Sequence, residues 1–320
     1  MRHATRSWLF TAVCLVVAGV ILIAAVSARH WQFTDLSTED FITNTYDIRE
    51  AFQSISIESD TADILFSASD DDACHVICYE EAKLQHSVEV RSGTLTIKAV
   101  DERSWVERIG VRLHSPAVTV FLPKGEYASL TIHESTGSIT LPAEVAFETA
   151  ALSLSTGDVS LASPVSQSVR IETTTGDILV HDTSAGSLAL SASTGKITVS
   201  DVACAGDVRV DISTGTVALA NVTCRSLSST GSTSDITLQN VIAAETFSLV
   251  RSTGDVRFLG SDASDIFVQT DTGDVTGSLL TEKVFLPDTS TGDIRVPKTV
   301  TGGRCEVTTS TGSISLEIAG

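Results

Sequence analysis

The chain has 320 residues, a formal net charge of −19, 42% hydrophobic residues and 5% aromatic ones. A surface this acidic repels phosphate backbones, which argues against nucleic acid as a partner and leaves cations or cationic proteins open. With 1 Met and 6 Pro against abundant Ser, Thr, Gly, Val and Ile, the composition points to strands and turns rather than helices.

The first element is a run of 21 uncharged residues from Trp8 to Ala28. About 20 apolar residues suffice for a helix to cross a bilayer. Arg2 and Arg6 precede the run, so residues 1–7 are expected in the cytoplasm and everything after Ala28 outside. Trp8 and Trp31 flank it as interface anchors would. A cleaved signal peptide is the competing reading, because Val26-Ser27-Ala28 ends the run in small residues. The length of the run favours an uncleaved anchor over residues 8–28. A lipoprotein signal fits poorly, since Val13 precedes Cys14 where a small residue is wanted. Either way the bulk of the chain is exported, and the lipid bilayer is the first expected partner.

Residues 29–53 read as a polar connector with some helix. Residues 54–128 read as a degenerate first rung and an irregular β cap. In that rung Thr61-Ala62-Asp63-Ile64 form the centre, and Ile55, Ile57, Ile64 and Phe66 fall in apolar slots. Cys74 to Tyr79, Val88 to Val90, Leu95 to Ile97 and Val118 to Leu122 alternate as strands do.

From residue 129 to the end the chain repeats itself. Ser-Thr-Gly recurs with central glycines at 137, 157, 176, 195, 215, 254, 273, 292 and 312, and Ser234 fills the glycine slot in the one wide gap. Ten copies of 19 to 20 residues follow one another without an insertion. The residue before the slot is always Thr. Two residues after it stands a β-branched aliphatic residue, from Ile139 to Ile314, and four after it nine of ten are apolar. Seven before it the residues are almost all apolar, from Leu130 to Cys305. Asp182, Asp201, Asn221, Asn240 and Gly260, six past the slot, supply a second turn, with Val202, Val222 or Val241 near it as a third apolar contact.

One such unit cannot bury its apolar face, but units stacked in register bury a continuous column of like residues. The expected fold is all-β: a single-stranded parallel β-solenoid (β-helix) of about ten rungs, preceded by the transmembrane helix and the cap. Each strand should pair with its equivalent one repeat away, at ~4.8 Å, giving a rod ~45–50 Å long. Gly permits the corner backbone, and the stacked Thr hydroxyls are expected to bond along a ladder.

Carried by the Ser-Thr-Gly-Asp-Ile/Val corners at Ser155 to Val159 and Ser290 to Ile294, the run Cys74 to Glu81, the segment Leu122 to Tyr127 and the end from Val296 to Ile318, the chain resembles the bacterial β-strand-repeat surface proteins labelled putative adhesins, a domain of unknown function. The likeness covers about residues 50 to 320. It implies a surface β-solenoid and no reaction, since fold does not settle function.

Few residues in the repeat invite chemistry. Asp235, Asp255, Asp274 and Asp293 follow the slot on four copies in succession, so four carboxylates are expected ~4.8 Å apart on one edge, a candidate Ca²⁺ ladder. The alternative is that each Asp bonds backbone amides of its turn. No catalytic residue and no cofactor other than Ca²⁺ is indicated. Outside the N-terminal run stand five cysteines, an odd number that argues against a complete disulfide framework. Cys204 and Cys224 occupy the same position on neighbouring rungs, where a disulfide or a pair of free thiols would both fit. No C-x-x-C pair and no metal spacing among the seven His residues supports zinc.

An enzyme needs a cleft, usually built from long loops, and the uninterrupted repeat leaves no room for one. All three Trp and all three Tyr lie before residue 128, so the repeat body lacks stacking platforms for sugars. The expected function is a non-enzymatic, membrane-anchored cell-surface scaffold with a protein partner at the envelope. The alternatives are an extracytoplasmic stress or ligand sensor acting through a membrane partner and, less favoured, a carbohydrate-active enzyme. The last strand, Ser313 to Ile318, is expected as an open edge available for end-to-end self-association.

Overall fold

A computed structural model describes residues 41–103 and 115–319. The apolar run 8–28 lies outside them, as do residues 1–7 and 29–40. Among the described residues no helix is long and apolar enough to cross a membrane. Phe41–Ser104 and Ser115–Gly320 form one compact unit, which is the one described here.

The unit is built entirely from strands. The N-terminal part comprises β1 (Phe41–Ile48), β2 (Ser54–Ser59), β3 (Asp63–Ala68), β4 (Cys74–Glu81), β5 (Leu84–Arg91), β6 (Thr94–Asp101) and β7 (Ala117–Leu122). The repeats follow as β8 (Glu126–Thr136), β9 (Ile139–Leu141), β10 (Ala146–Thr156), β11 (Val159–Leu161), β12 (Val165–Thr175), β13 (Ile178–Cys204), β14 (Val208–Cys224), β15 (Leu227–Thr253) and β16 (Val256–Thr272). The C-terminal part is β17 (Val275–Leu279), β18 (Lys283–Thr291), β19 (Ile294–Arg295), β20 (Gly303–Thr311) and β21 (Ile314–Ile318). The segment expected as a partly helical connector therefore holds a strand, β1, paired antiparallel to β4 from Phe41↔Glu81 to Ile48↔Cys74.

Through the middle of the unit the repeat register is the one the sequence dictates. Leu188 pairs with Val208 and Val208 with Leu227, while Ile197, Val217 and Ile236 stack in the next column. The alternating side chains in these columns are buried, as are Val202, Val222 and Val241 on a third side. The first corner turns at the slot glycines. At Gly157 φ is 136°, and a Cβ there would overlap the carbonyl oxygen of Gly137 one rung away. The second corner turns at Asp182, Asp201, Asn221 and Asn240, all with φ between 49° and 56°, the left-handed region that Asp and Asn tolerate. Their side chains link rungs, with Asn240 Nδ2 donating to Asn221 Oδ1 at 3.1 Å and Asn221 Nδ2 to Asp201 Oδ1 at 2.8 Å.

The expected hydroxyl ladder is displaced. At the invariant Thr the backbone makes the bonds, with Gly157 N donating to Thr175 O and Gly176 N to Thr194 O. Hydroxyls do form a ladder two residues earlier: Thr270, Thr309 and Thr289 Oγ1 donate to Gly254, Gly273 and Gly312 O at 3.4, 3.1 and 2.9 Å.

Both ends depart from chain order, which corrects the one-repeat-away pairing expected throughout. At the C-terminal end β16 and β17 pair with β20 and β21, and these pair on their other side with β18 and β19. The chain leaves the Gly273 rung, builds the outermost rung around Gly292, then turns back to insert the Gly312 rung between them. The last strand is thus enclosed. The open edge is β18 and β19, where Leu286 and Ile294 are each 45% exposed. Pro287 lies in β18 and offers no N–H to a further strand.

The N-terminal end does the same in mirror order. The β2–β3 rung pairs with β8 and β9 on one side and with β6 and β7 on the other. The residues expected as an irregular cap therefore include a further parallel rung, β6–β7. Outside it, β5 runs antiparallel to β6 and β4 antiparallel to β7.

Candidate functional site

The aspartates after the slot serve the fold. Asp255 N donates to Asp235 Oδ1 at 2.9 Å, Asp274 N to Asp255 Oδ1 at 2.8 Å and Ser313 N to Asp274 Oδ1 at 2.7 Å. Asp177 N and Lys196 N bond Asp158 and Asp177 in the same way, both at 2.7 Å. Each carboxylate caps the amide of the next rung. Because the Gly312 rung is inserted, Ser313 stands between Asp274 and Asp293. The four-carboxylate row is therefore three carboxylates, a serine and Asp293.

Cys204 and Cys224 stack on adjacent rungs as free, buried thiols. Cys204 Sγ lies 3.8 Å from Gly186 O and 3.6 Å from Asp207 O, both acceptors. Burial pushes the Cys224 thiol up to about 12, so it stays protonated and unreactive near neutral pH.

The densest polar chemistry lies where the N-terminal cap meets the first rungs. Glu80 is 0% exposed and His86 4%. His86 Nδ1 and the His86 amide both lie 2.7 Å from Glu80 Oε2, and Asn44 Nδ2 donates to Glu80 Oε1 at 2.7 Å. On the other side of the ring, Nε2 is 3.0 Å from Ser59 Oγ, and Tyr46 OH donates to the His86 carbonyl at 3.1 Å. Beyond Ser59 sits buried Glu134, whose Oε1 accepts from Ala62 N and Thr136 N while Oε2 has no partner. Desolvation raises Glu134 to about 7, against the opposing hydrogen bonds. Cys78 faces the same interior, its thiol pushed up to about 12 by burial first and by Glu80 second. The sequence reading passed over this cluster because its members come from β1, β2, β4, β5 and β8. The visible part, Cys78-x-Glu80 on one strand face with His86 past a hairpin, has no distinctive spacing.

A second buried ion pair marks the C-terminal crossover. Lys283 Nζ is 2.7 Å from Asp262 Oδ1, with both side chains under a tenth exposed. They line a shallow groove with Ile242, Leu280 and Thr301 where the chain passes to the outer rung.

The sequence matches the Toastrack DUF4097 family over residues 52–211 and again over 203–320. The chain belongs to this family. The first match begins just before β2, and the two overlap over residues 203–211, from the end of β13 into β14, which pairs with β13 and β15 without a register shift. Two family lengths thus merge into one stack. No curated protein matches the chain. Among solved structures, a putative adhesin from Bacteroides fragilis is 13% identical with a TM-score of 0.44, over 88% of this chain and 98% of that one. A putative lipid binding protein from Parabacteroides distasonis is 17% identical with a TM-score of 0.45, over 86% and 96%. A putative adhesin from Parabacteroides merdae is 11% identical with a TM-score of 0.44, over 88% and 97%. Likeness at this level carries no argument about what this chain binds.

Proposed function

We propose that the protein is a non-enzymatic cell-surface scaffold, anchored in the membrane by residues 8–28 and presenting its stacked rungs outside the cell to a protein partner. The observation that carries the reading is the continuity of the stack. From β8 to β16 the strands are joined by corners and short turns, and the outer positions are mostly Ser, Thr and charged side chains, with no overhanging loop to form a cleft. The buried polar groups are turned inward, at the cap, at the crossover and around Arg251 within β15. The same reading places any end-to-end self-association at β18 and β19, since β21 is enclosed.

The test uses the full chain in intact cells. Fractionation should leave it with the membrane, externally added protease should degrade its rungs, and surface cross-linking should capture a defined envelope protein. Recovery in the soluble cytoplasmic fraction would sink the anchoring. Hydrolysis of an envelope glycan, lost in the Asp255→Asn, Asp274→Asn double variant, would sink the non-enzymatic reading.

A further inference from the structure

Cys78 and Glu80 are alternate residues of β4 and point to one side of the strand, into the interior. His86 comes to the same place from β5 after the turn that joins the two strands. The donor atoms of these three residues lie within 4.8 Å of one another, and all three residues are buried.

We infer that Cys78, Glu80 and His86 form a site for a divalent transition metal of the zinc class. The donors are one thiolate sulfur, one imidazole nitrogen and one carboxylate oxygen. That mixture suits Zn²⁺ and its borderline neighbours, whereas Ca²⁺ and Mg²⁺ take oxygen ligands. The surroundings already hold the ligands as the outer shell of a metal site does. Asn44 grips Glu80 Oε1 at 2.7 Å, leaving Oε2 directed at His86. Ser59 Oγ meets the ring at Nε2, 3.0 Å away, leaving Nδ1 directed at Glu80.

The proton balance is simple. The ion enters against the Glu80–His86 hydrogen bond. With Nδ1 on the ion, the His86 ring carries its proton on Nε2, where Ser59 Oγ accepts it, and the Cys78 S–H proton leaves to solvent as the thiolate binds. One proton is released per ion, so affinity rises with pH while the thiol must be ionised. Three protein ligands leave a fourth position. A cavity of about 270 Å³, lined by His86, Gln85 and Lys83, lies on the same hairpin. The consequence is structural: β4 and β5 would be cross-linked across the turn that joins them, with His86 held against Ser59 of β2.

The experiment takes the full chain in detergent, freed of metal by a chelator and titrated with Zn²⁺ or Co²⁺. About one equivalent of Zn²⁺ should survive gel filtration and raise the thermal midpoint. The Co²⁺ form should show a thiolate-to-cobalt charge-transfer band that Cys78→Ser abolishes and Asp255→Asn leaves intact. A folded wild-type protein that binds no stoichiometric Zn²⁺ overturns the site. So does a Co²⁺ spectrum without a thiolate band, or undiminished binding in a Cys78→Ser, His86→Gln double variant. If the variants fail to fold, a wild-type Co²⁺ spectrum without a thiolate band still overturns the site.

Discussion

Arg251 Nη2 donates to Ser229 Oγ at 2.8 Å between neighbouring turns of β15, and both side chains are fully enclosed. This contact explains three departures from the repeat. Ser229 stands where every other rung but that of Pro287 carries Ile, Leu or Val, Gly231 is opposite Ile212, and Ser234 replaces the slot glycine. A Cβ on Gly231 would overlap Ser234 Oγ and lie 3.0 Å from Arg251 Cδ. The rung is hollowed to receive a guanidinium whose Nε has no partner and whose pKa burial lowers to about 10.

A buried charge held by two hydrogen bonds contributes little net stability. Replacing Arg251 with Met, close in volume, is therefore expected to leave the unfolding free energy unchanged or to raise it by about 1–2 kcal/mol. Gly231→Ala should cost roughly 1–3 kcal/mol by overpacking. Much of that loss should be recovered when Ser234→Gly is added, because the overlapping hydroxyl is gone. A double-mutant cycle in denaturant reads the coupling, and simple additivity would show that the two positions do not share this space.

Glu134 makes stability pH-dependent. Its folded value, about 7, lies above the unfolded one, so the folded state holds a proton that the unfolded state has lost between about pH 4.5 and 7. In that window stability falls as pH rises, by at most about 3 kcal/mol from this group. Glu134→Gln keeps an oxygen for Ala62 N and Thr136 N and removes the charge. Thermal midpoints measured from pH 4.5 to 8 should show the wild type losing more than the variant, and parallel curves would remove Glu134 as the cause.

What the sequence made legible is what local geometry decides. Slot glycines, Asp and Asn at the left-handed corner and the aliphatic columns each answer to constraints within one rung or between identical rungs. The order of the end rungs escapes that reading because the rungs around Gly292 and Gly312 carry the same corner and could exchange places without changing the pattern. Pro287 was the available hint, since a strand residue without an N–H belongs at an edge. The cluster of Ser59, Cys78, Glu80 and His86 was illegible for another reason: a hairpin folded across the end of the stack brings it together, and no period connects its members.

The aspartate row gives a sharp test of calcium. Asp235, Asp255 and Asp274 each give one oxygen to an amide of the next rung, and Ser313 separates them from Asp293. Millimolar Ca²⁺ or a chelator is expected to leave the thermal midpoint in place. Asp255→Asn, which retains an acceptor for Asp274 N, should cost less than about 0.5 kcal/mol, and Asp255→Ala about 1 kcal/mol. A Ca²⁺-dependent rise lost in Asp255→Asn would instead establish the row as a cation site.

The inserted C-terminal rung predicts an order of protection opposite to chain order. Residues 303–315 lie between two rungs, with Cys305 paired to Ile266 on one side and Phe285 on the other, whereas among the described residues β18 and β19 are paired on one side only. Strands bonded on both sides open only with the structure around them, while an edge can fray alone. Hydrogen exchange of Val307 and Leu316 should therefore be slower than that of Leu286 and Ile294, although the former are nearer the chain end. Gly312→Ala, which drives a Cβ into Gly273 O inside the stack, should destabilise by more than Gly292→Ala, where the edge rung can lift away. A truncation before Gly303 should release two rungs, because β18 and β19 lose the only strands they pair with among the described residues. Protection that instead declines steadily toward the chain end would mean that the rungs follow sequence order and that the last strand is the open edge.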